Sequence, residues 1–166
     1  IAGVLLPSLP NGGWSITVEF HFYLALPILL YLARRSVGYL IAIICAAIIF
    51  RFLYHNLKGS IQHLAYWTIV GRIDQFVLGM LSAYIFSSLP KKGFVAFLGA
   101  ICLVAFYTWF DAAGGFYNMP TYPSPSAIWA ILPTIEAVSY AVIIGWYDNF
   151  QRSTSLVSRT VGKVGE

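Results

Sequence analysis

Charge is what this sequence has least of. Only 10% of its 166 residues are Asp, Glu, Lys or Arg, against about 25% in an ordinary soluble domain. So few charges cannot cover a water-facing surface, which excludes a soluble globular domain and leaves lipid to solvate much of the outside. Cysteine is nearly missing too: Cys45 and Cys102 are the only two, each within an apolar run. That excludes a disulfide framework and zinc-ligand spacing. No metal site is expected, and both thiols read as packing residues. Also lacking is a basic leader followed by a cleavage site. The chain opens at Ile1 rather than Met and stops in the polar stretch Val164-Gly165-Glu166, so it reads as an internal piece of a longer polytopic protein, truncated at both ends.

What is present is apolar: 59% of residues are hydrophobic and the mean hydropathy is +0.76. In a soluble protein the net charge of +4 would raise nucleic acid as a partner. Here the basic residues lie between apolar runs, where membrane orientation explains them better, and no nucleic-acid partner is expected. Spanning the hydrocarbon core takes roughly 20 apolar residues in a helix. Five runs qualify, at 16–33, 37–54, 73–88, 93–110 and 127–147. A sheet would leave open edges with unpaired backbone groups in lipid. The sequence therefore predicts an all-α fold, a polytopic transmembrane helix bundle with about five spanning helices. Residues 1–166 belong to one such domain, in contact with membrane lipid.

Pro27 removes the amide that would bond the Tyr23 carbonyl, so a kink is expected there. Pro133 should perturb the opening turns of the fifth run. Gly79 and Ala83, one turn apart, would let a neighbouring helix approach closely. Of the connections, 34–36 and 90–92 are short and basic. Residues 55–72 hold Lys58, His63 and Tyr66-Trp67 and read as interfacial. Residues 111–126 are rich in Gly, Pro and Tyr and contain no Lys or Arg. A five-helix zigzag puts Arg34, Arg35, Lys91, Lys92, Arg152, Arg159 and Lys163 on one side, with Lys58 and Arg72 opposite and Arg51 near the membrane edge. The positive-inside rule makes the richer side cytoplasmic, so residues 34–35, 91–92 and 152–163 face the cytoplasm. The start of the chain and the 55–72 and 111–126 loops face out.

A charge at a helix centre costs about 2.5–3.5 kcal/mol on insertion scales, so intramembrane charges normally meet a partner or a watery cavity. Glu19 shares a helical face with Tyr23, and Ser15 lies one turn earlier. Ser15 can cap the helix and Glu19 can complement its dipole there, which is the plainest reading. Asp74 has a similar capping reading. Arg72 does not, because a cation at a helix N-terminus opposes the dipole. It needs a carboxylate from another helix or an anionic ligand. The zigzag brings Glu19, His21, His55, Arg72 and Asp74 to one membrane face, and an Arg72–Glu19 pair is the expected contact. Glu136 lies two to three turns inside the fifth run. There it is either protonated and hydrogen-bonded in the interior or lines a substrate cavity. Asp111 and Asp148 sit at helix ends and read as solvated.

The run Trp14-Ser15-Ile16-Thr17-Val18-Glu19, with Phe22-Tyr23-Leu24 and Pro27 following, resembles the W-S-L-x-V-E-x-x-F-Y-L-x-x-P signature of the acyltransferase-3 family. Arg72-Ile73-Asp74 with Gly79 resembles that family's R-x-D-x-x-x-x-G helix start. Residues 162–166 look like the segment before another of its helices. Phe20 stands where a second acidic residue is frequent, and His21 where Gln is common. The resemblance implies a membrane O-acyltransferase of the kind that acetylates O-antigens and exopolysaccharides. Such an enzyme moves an acyl group, often acetyl, from acyl-CoA to a hydroxyl of a sugar, another cell-surface acceptor or a small molecule. It implies acyl-CoA as co-substrate and no cofactor. The family's presumed catalytic His belongs to an Arg-and-His pattern in an earlier helix, which has no match here and is expected upstream. By resemblance Glu19, Arg72 and Asp74 shape the acyl-transfer cavity, Glu136 joins them as a candidate, and Trp14, Ser15, His21 and Tyr23 are secondary. The alternatives are a transporter or channel segment, in which Arg72, Asp74 and Glu136 touch an ion or solute, and a structural membrane subunit, in which those charges tolerate neutral replacement.

Overall fold

The computed structural model describes residues 13–88 and 92–149, with side chains from 15–85 and 93–146. Trp14, Lys91, Lys92, Asp148, Arg152, Arg159, Lys163 and the 162–166 segment, all singled out from sequence, lie outside the described side chains. Among the described residues every regular element is helical. Two long helices come first, α1 (Gly13–Arg35) and α2 (Val37–Lys58). A six-residue helix, α3 (Gln62–Trp67), leads into α4 (Ile69–Ser88). Then come α5 (Lys92–Ala112), a 3-10 turn at Ala127–Ala130, and α6 (Leu132–Asn149).

The local reasons are legible at the junctions. Ser36, extended at φ −167°, separates α1 from α2, and its hydroxyl accepts the Gly38 amide at 3.1 Å as an N-cap does. Gly59 closes α2 in the left-handed conformation, φ +73°, with its amide on the His55 carbonyl. Thr68 opens α4: its hydroxyl accepts the Gly71 amide at 3.1 Å. Asp74, read from sequence as a possible cap, is a turn further in. Pro133 has the predicted effect, since the chain makes a 3-10 turn before α6 starts at Leu132. Pro27 lies within α1, which is assigned as helix on both sides of it.

α4 is the central helix, packed against α1, α2, α3 and α6, while α5 packs on α6. One core cluster joins Leu29 and Ala33 of α1, Leu40 of α2, and Val77 and Leu81 of α4. On α1 the inward face runs through Val18, Phe22, Ala25, Leu29 and Ala33, at the three- and four-residue spacing of one helix stripe. Phe22 stacks on Phe76 of α4 with ring centroids 4.2 Å apart. A second cluster, around Ile61, Ala65, Met119, Trp129 and Leu132, sits at the loop end of the bundle.

Here the 55–72 and 111–126 segments come together, as the zigzag requires. Gln62 fastens them: its side-chain amide donates to the Phe116 carbonyl at 2.6 Å and accepts the Ser124 amide at 2.7 Å. Ser60 adds a bond to the Ser124 carbonyl at 2.9 Å. Trp129, fully buried, is boxed by Tyr66, Phe110 and Phe116.

The surface is inverted relative to a water-soluble bundle. Leu57 is 82% exposed and Ile16 68%, whereas Arg51, Gln62 and Asp74 are wholly buried. Among the described residues three helices, over Ser15–Arg35, Val37–Lys58 and Gly93–Ala112, are long and apolar enough to cross a membrane. α6 supplies a shorter apolar stretch, Leu132–Trp146, and α4 carries Arg72 and Asp74 in its opening turns. Among the described residues three helices thus meet the length and apolarity of a span, where the sequence predicts about five.

Two packing expectations are corrected. Gly79 has open space where a Cβ would stand, and Ala83 is exposed, so this pair does not bring helices together. The close approach is at Gly99 on α5, where a Cβ would come within 2.8 Å of the Val142 side chain. Cys45 and Cys102 are exposed on outer faces, not in packed interior positions.

Candidate functional site: a charge clamp beside a polar cluster

Arg51 lies on α2 eight residues before the capping Gly59 and is fully buried. Every one of its five N–H groups is used. Nε donates to the Ala130 carbonyl at 2.7 Å and Nη1 to the Gly71 carbonyl at 2.6 Å. The two terminal nitrogens meet Asp74 as a fork, at 2.9 Å to Oδ1 and 2.7 Å to Oδ2. Nη2 also reaches the Thr134 hydroxyl at 2.6 Å, which in turn donates to Asp74 Oδ2 at 2.5 Å. Bidentate guanidinium–carboxylate pairs of this kind are among the stronger hydrogen-bonded contacts. The clamp ties α2, α4 and the start of α6 at one point. Gly71 is required beside it, because a Cβ there would collide with the Leu64 carbonyl where α3 folds against α4.

Asp74 is therefore committed, and Arg72, two residues earlier, turns to a different face. Its guanidinium carbon lies 4.5 Å from the centroid of the Tyr66 ring, in the range of a cation–π contact. Glu136, Asp74 and Tyr107 are within its electrostatic reach. Burial first, and then the nearby Glu136 carboxylate, hold the Tyr66 phenol above its ordinary pKa, so it stays neutral at physiological pH.

Glu136 accepts a hydrogen bond from the Tyr107 hydroxyl at 2.5 Å on Oε1. Its Oε2 is 3.5 Å from Gln75 Nε2, which makes the better bond to the Pro133 carbonyl at 3.0 Å. Tyr140 extends the group, its hydroxyl 3.3 Å from that of Tyr107. The sequence places Glu136 two to three turns inside its helix. Since α6 starts at Leu132, it is about one turn in, roughly 6 Å along the axis, and nearer the loop end. Arg72, Tyr66, Gln75, Tyr107, Glu136 and Tyr140 thus form one half-buried polar cluster. It holds a cation, a carboxylate and several phenols, which suits binding or polarising a hydroxyl-bearing ligand.

The candidates on α1 do not join it. Glu19 is exposed and stands about 100° round the helix from the inward-facing Val18. Among the described residues the one ion pair is Arg51–Asp74, so the expected Arg72–Glu19 pair is replaced by Arg72 beside Tyr66 and Glu136. Nor is Glu19 in the first turn, because α1 already starts at Gly13. Tyr23 shares its exposed face, and Ser15 lies within the first turn. His21 bonds back to its own helix, Nδ1 to the Thr17 carbonyl at 2.6 Å. A carbonyl only accepts, so Nδ1 carries the proton. His63 is exposed between Trp67 and Tyr122, and the buried Nδ1 of half-buried His55 has no hydrogen-bond partner. Among the described residues no three His, Cys, Asp or Glu side chains gather as a metal site would require.

Sequence reasoning missed Arg51, Thr134, Gln75, Tyr107 and Tyr140. For Arg51 a signal existed: an arginine inside the apolar run 48–53, two helices from an unpaired aspartate. Searches against protein-family models, curated proteins and solved structures find no match to this chain.

Proposed function

We propose that the chain forms part of the transmembrane domain of a membrane-bound O-acyltransferase. The reaction is transfer of an acyl group, often acetyl, from acyl-CoA to a hydroxyl of a sugar or other cell-surface acceptor. In this reading α4 and α6 also cross the bilayer, the 34–35, 91–92 and 152–163 segments face the cytoplasm, and the polar cluster lies at the outer rim. The observation that carries the proposal is the polar cluster itself: Arg72 stands beside Tyr66 and Glu136, while Asp74 of the same R-x-D motif is clamped by Arg51. The motif thus divides into an anchoring half and a half that stands in the polar cluster. Acyl transfer to a hydroxyl needs a group that accepts the hydroxyl proton and donors that hold the developing oxyanion. Arg72 and the phenols supply donors. The base, as the resemblance implies, is a His of the family's Arg-and-His pattern, which these residues do not contain.

The test is acyl transfer by the full-length protein in reconstituted membranes. Arg72→Ala should abolish transfer of labelled acetyl from acetyl-CoA while membrane insertion is retained. Wild-type transfer by that variant would refute the assignment. Flux of a solute without acyl transfer would favour the transporter reading instead.

A further inference from the structure

We propose that the corner between α1 and α2 is a phosphate site for an anionic phospholipid, built from Tyr31, Arg34 and Arg35. The site does not depend on the acyl-transfer reading; only the leaflet it serves, the cytoplasmic one, follows from the proposed orientation.

Position comes first. Each of α1 and α2 is long and apolar enough to cross a membrane, and Ser36 alone separates them. The corner therefore turns at one membrane surface, with Arg34 and Arg35 in the last turn of α1. Tyr31 and Tyr39, 57% and 51% exposed, flank it within roughly 8 Å along the two helix axes. Exposed tyrosines concentrate where hydrocarbon meets head groups, which puts the two guanidinium groups at the level of lipid phosphates.

Charge says what is missing there. No Asp or Glu lies between Glu19 and Asp74, and Asp74 is already forked onto Arg51. Glu19 is roughly 22 Å from Arg34 along α1, beyond a Debye length of about 10 Å at 0.1 M salt. The 91–92 and 152–163 segments, assigned to the same side, add basic residues and no carboxylate. Two adjacent cations with no carboxylate in their own hairpin call for an anion from outside it.

The donors are already arranged. Arg35 Nη2 donates to the Tyr31 hydroxyl at 3.0 Å, and its guanidinium carbon lies 5.3 Å from the centroid of the Tyr31 ring. That contact holds the guanidinium in place and spends one of its five N–H groups. Because the Tyr31 oxygen accepts there, its own proton is left to donate. Arg34 is exposed and makes no hydrogen bond or ion pair among the described residues. A planar guanidinium fork matches two phosphate oxygens at once.

The rest of α1 selects a lipid over a free anion. Leu24, Ile28, Tyr31 and Arg35 fall on one stripe of the helix, with Leu24 and Ile28 63% and 64% exposed. From Leu24 to Arg35 the stripe runs about 16 Å, one leaflet of a hydrocarbon core about 30 Å thick. Apolar, then aromatic with a hydroxyl, then cationic, it is the complement of a phospholipid's tail, interface and phosphate.

The experiment titrates the full-length protein in detergent with phosphatidylglycerol or phosphatidylcholine of the same tails and counts retained lipid by native mass spectrometry. A third arm adds inorganic phosphate to the phosphatidylglycerol complex. Phosphatidylglycerol should be retained over phosphatidylcholine and should not be displaced by inorganic phosphate. Arg35→Ala should weaken retention about fivefold, the scale of one arginine at an anionic surface. Tyr31→Phe, and Arg34→Lys with Arg35→Lys, leave the charge unchanged and should weaken it too, because they release or remove the fork. Lys58→Gln, an exposed change at the other end of α2, should leave it intact. A thermal midpoint measured without lipid separates lost binding from lost fold, and Tyr31→Phe decides where an arginine variant does not accumulate. Equal retention of the two lipids overturns the site. So does wild-type retention in both charge-preserving variants, which would mean diffuse attraction. Displacement by inorganic phosphate would make the corner a free-anion site and overturn the lipid assignment.

Discussion

Arg51 and Arg72 sit on neighbouring helices near one end of the bundle, and each must be accommodated among apolar side chains. Arg51 is wholly buried, and all five of its N–H groups are spent on Asp74, Thr134 and two carbonyls. Arg72 is half-buried over an aromatic ring, with Glu136 within electrostatic reach and not forked onto it. The first arrangement leaves no capacity for a ligand. The second spreads its charge over a ring face and a nearby carboxylate. Buried, saturated charge fixes where helices meet, whereas half-buried, balanced charge is what a ligand can engage. The comparison sets Arg51–Asp74 in the architecture and, on the proposed reading, leaves the chemistry to the cluster of Arg72 and Glu136.

The largest effect should come from breaking the saturated pair. Arg51→Met strands the Asp74 carboxylate in the interior, and removing one partner of a buried pair costs about 3–5 kcal/mol. The thermal midpoint in detergent should drop accordingly, or folded protein should fail to accumulate. The double variant Arg51→Met with Asp74→Leu removes both charges and should recover part of that loss. A double variant no more stable than the singles would show that Arg51 works through the Ala130 and Gly71 carbonyls, and the ion-pair account would have to be abandoned.

Next in size is Gly71→Ala. The added methyl group meets the Leu64 carbonyl and the Ala65 Cα, all backbone, so α3 and α4 must separate. Overpacking of this kind costs about 1–3 kcal/mol. Because the Gly71 carbonyl also accepts from Arg51, its effect should be non-additive with Arg51→Met. Strict additivity in the double-variant cycle would mean that the clamp and the tight turn are independent.

The sequence carries the parts of this picture that depend on local chemistry. Apolar runs locate the helices: α2 starts at Val37 as expected and α5 falls within two residues of its predicted ends. Pro133 marks a real disturbance, and the zigzag puts the 55–72 and 111–126 segments together. What it does not carry depends on facing. Asp74 and Arg51 are 23 residues apart on separate helices, and no spacing rule links them. Glu136 is read too deep, because the 3-10 turn at Ala127–Ala130 consumes residues that look like helix by hydropathy. Glu19 and Arg72 do share the general end of the bundle, but sequence gives no rotation of α1 about its axis. The inward stripe through Val18 and Phe22 turns Glu19 away.

The two arginines should separate again when the second is removed. Arg72→Ala gives up a cation–π contact, about 1 kcal/mol, so the thermal midpoint should move far less than in Arg51→Met. Acyl transfer should nonetheless vanish. A stability loss as large as that of Arg51→Met would place Arg72 in the architecture and erase the contrast.

The smallest effect has the opposite sign. Gly79 lies in the R-x-D-x-x-x-x-G pattern, yet no atom lies within 4 Å of the Cβ it lacks, and it is exposed on α4. On its own helix it adds only backbone freedom, so Gly79→Ala should stabilise the protein by about 0.5–1 kcal/mol. Its activity should be unchanged if the fold alone uses this position. A gain in thermal midpoint with a loss of acyl transfer would instead mean that a ligand, or another part of the protein, approaches the α4 backbone at Gly79. That would extend the chemical region two turns beyond Arg72, along a face that the clamp does not touch.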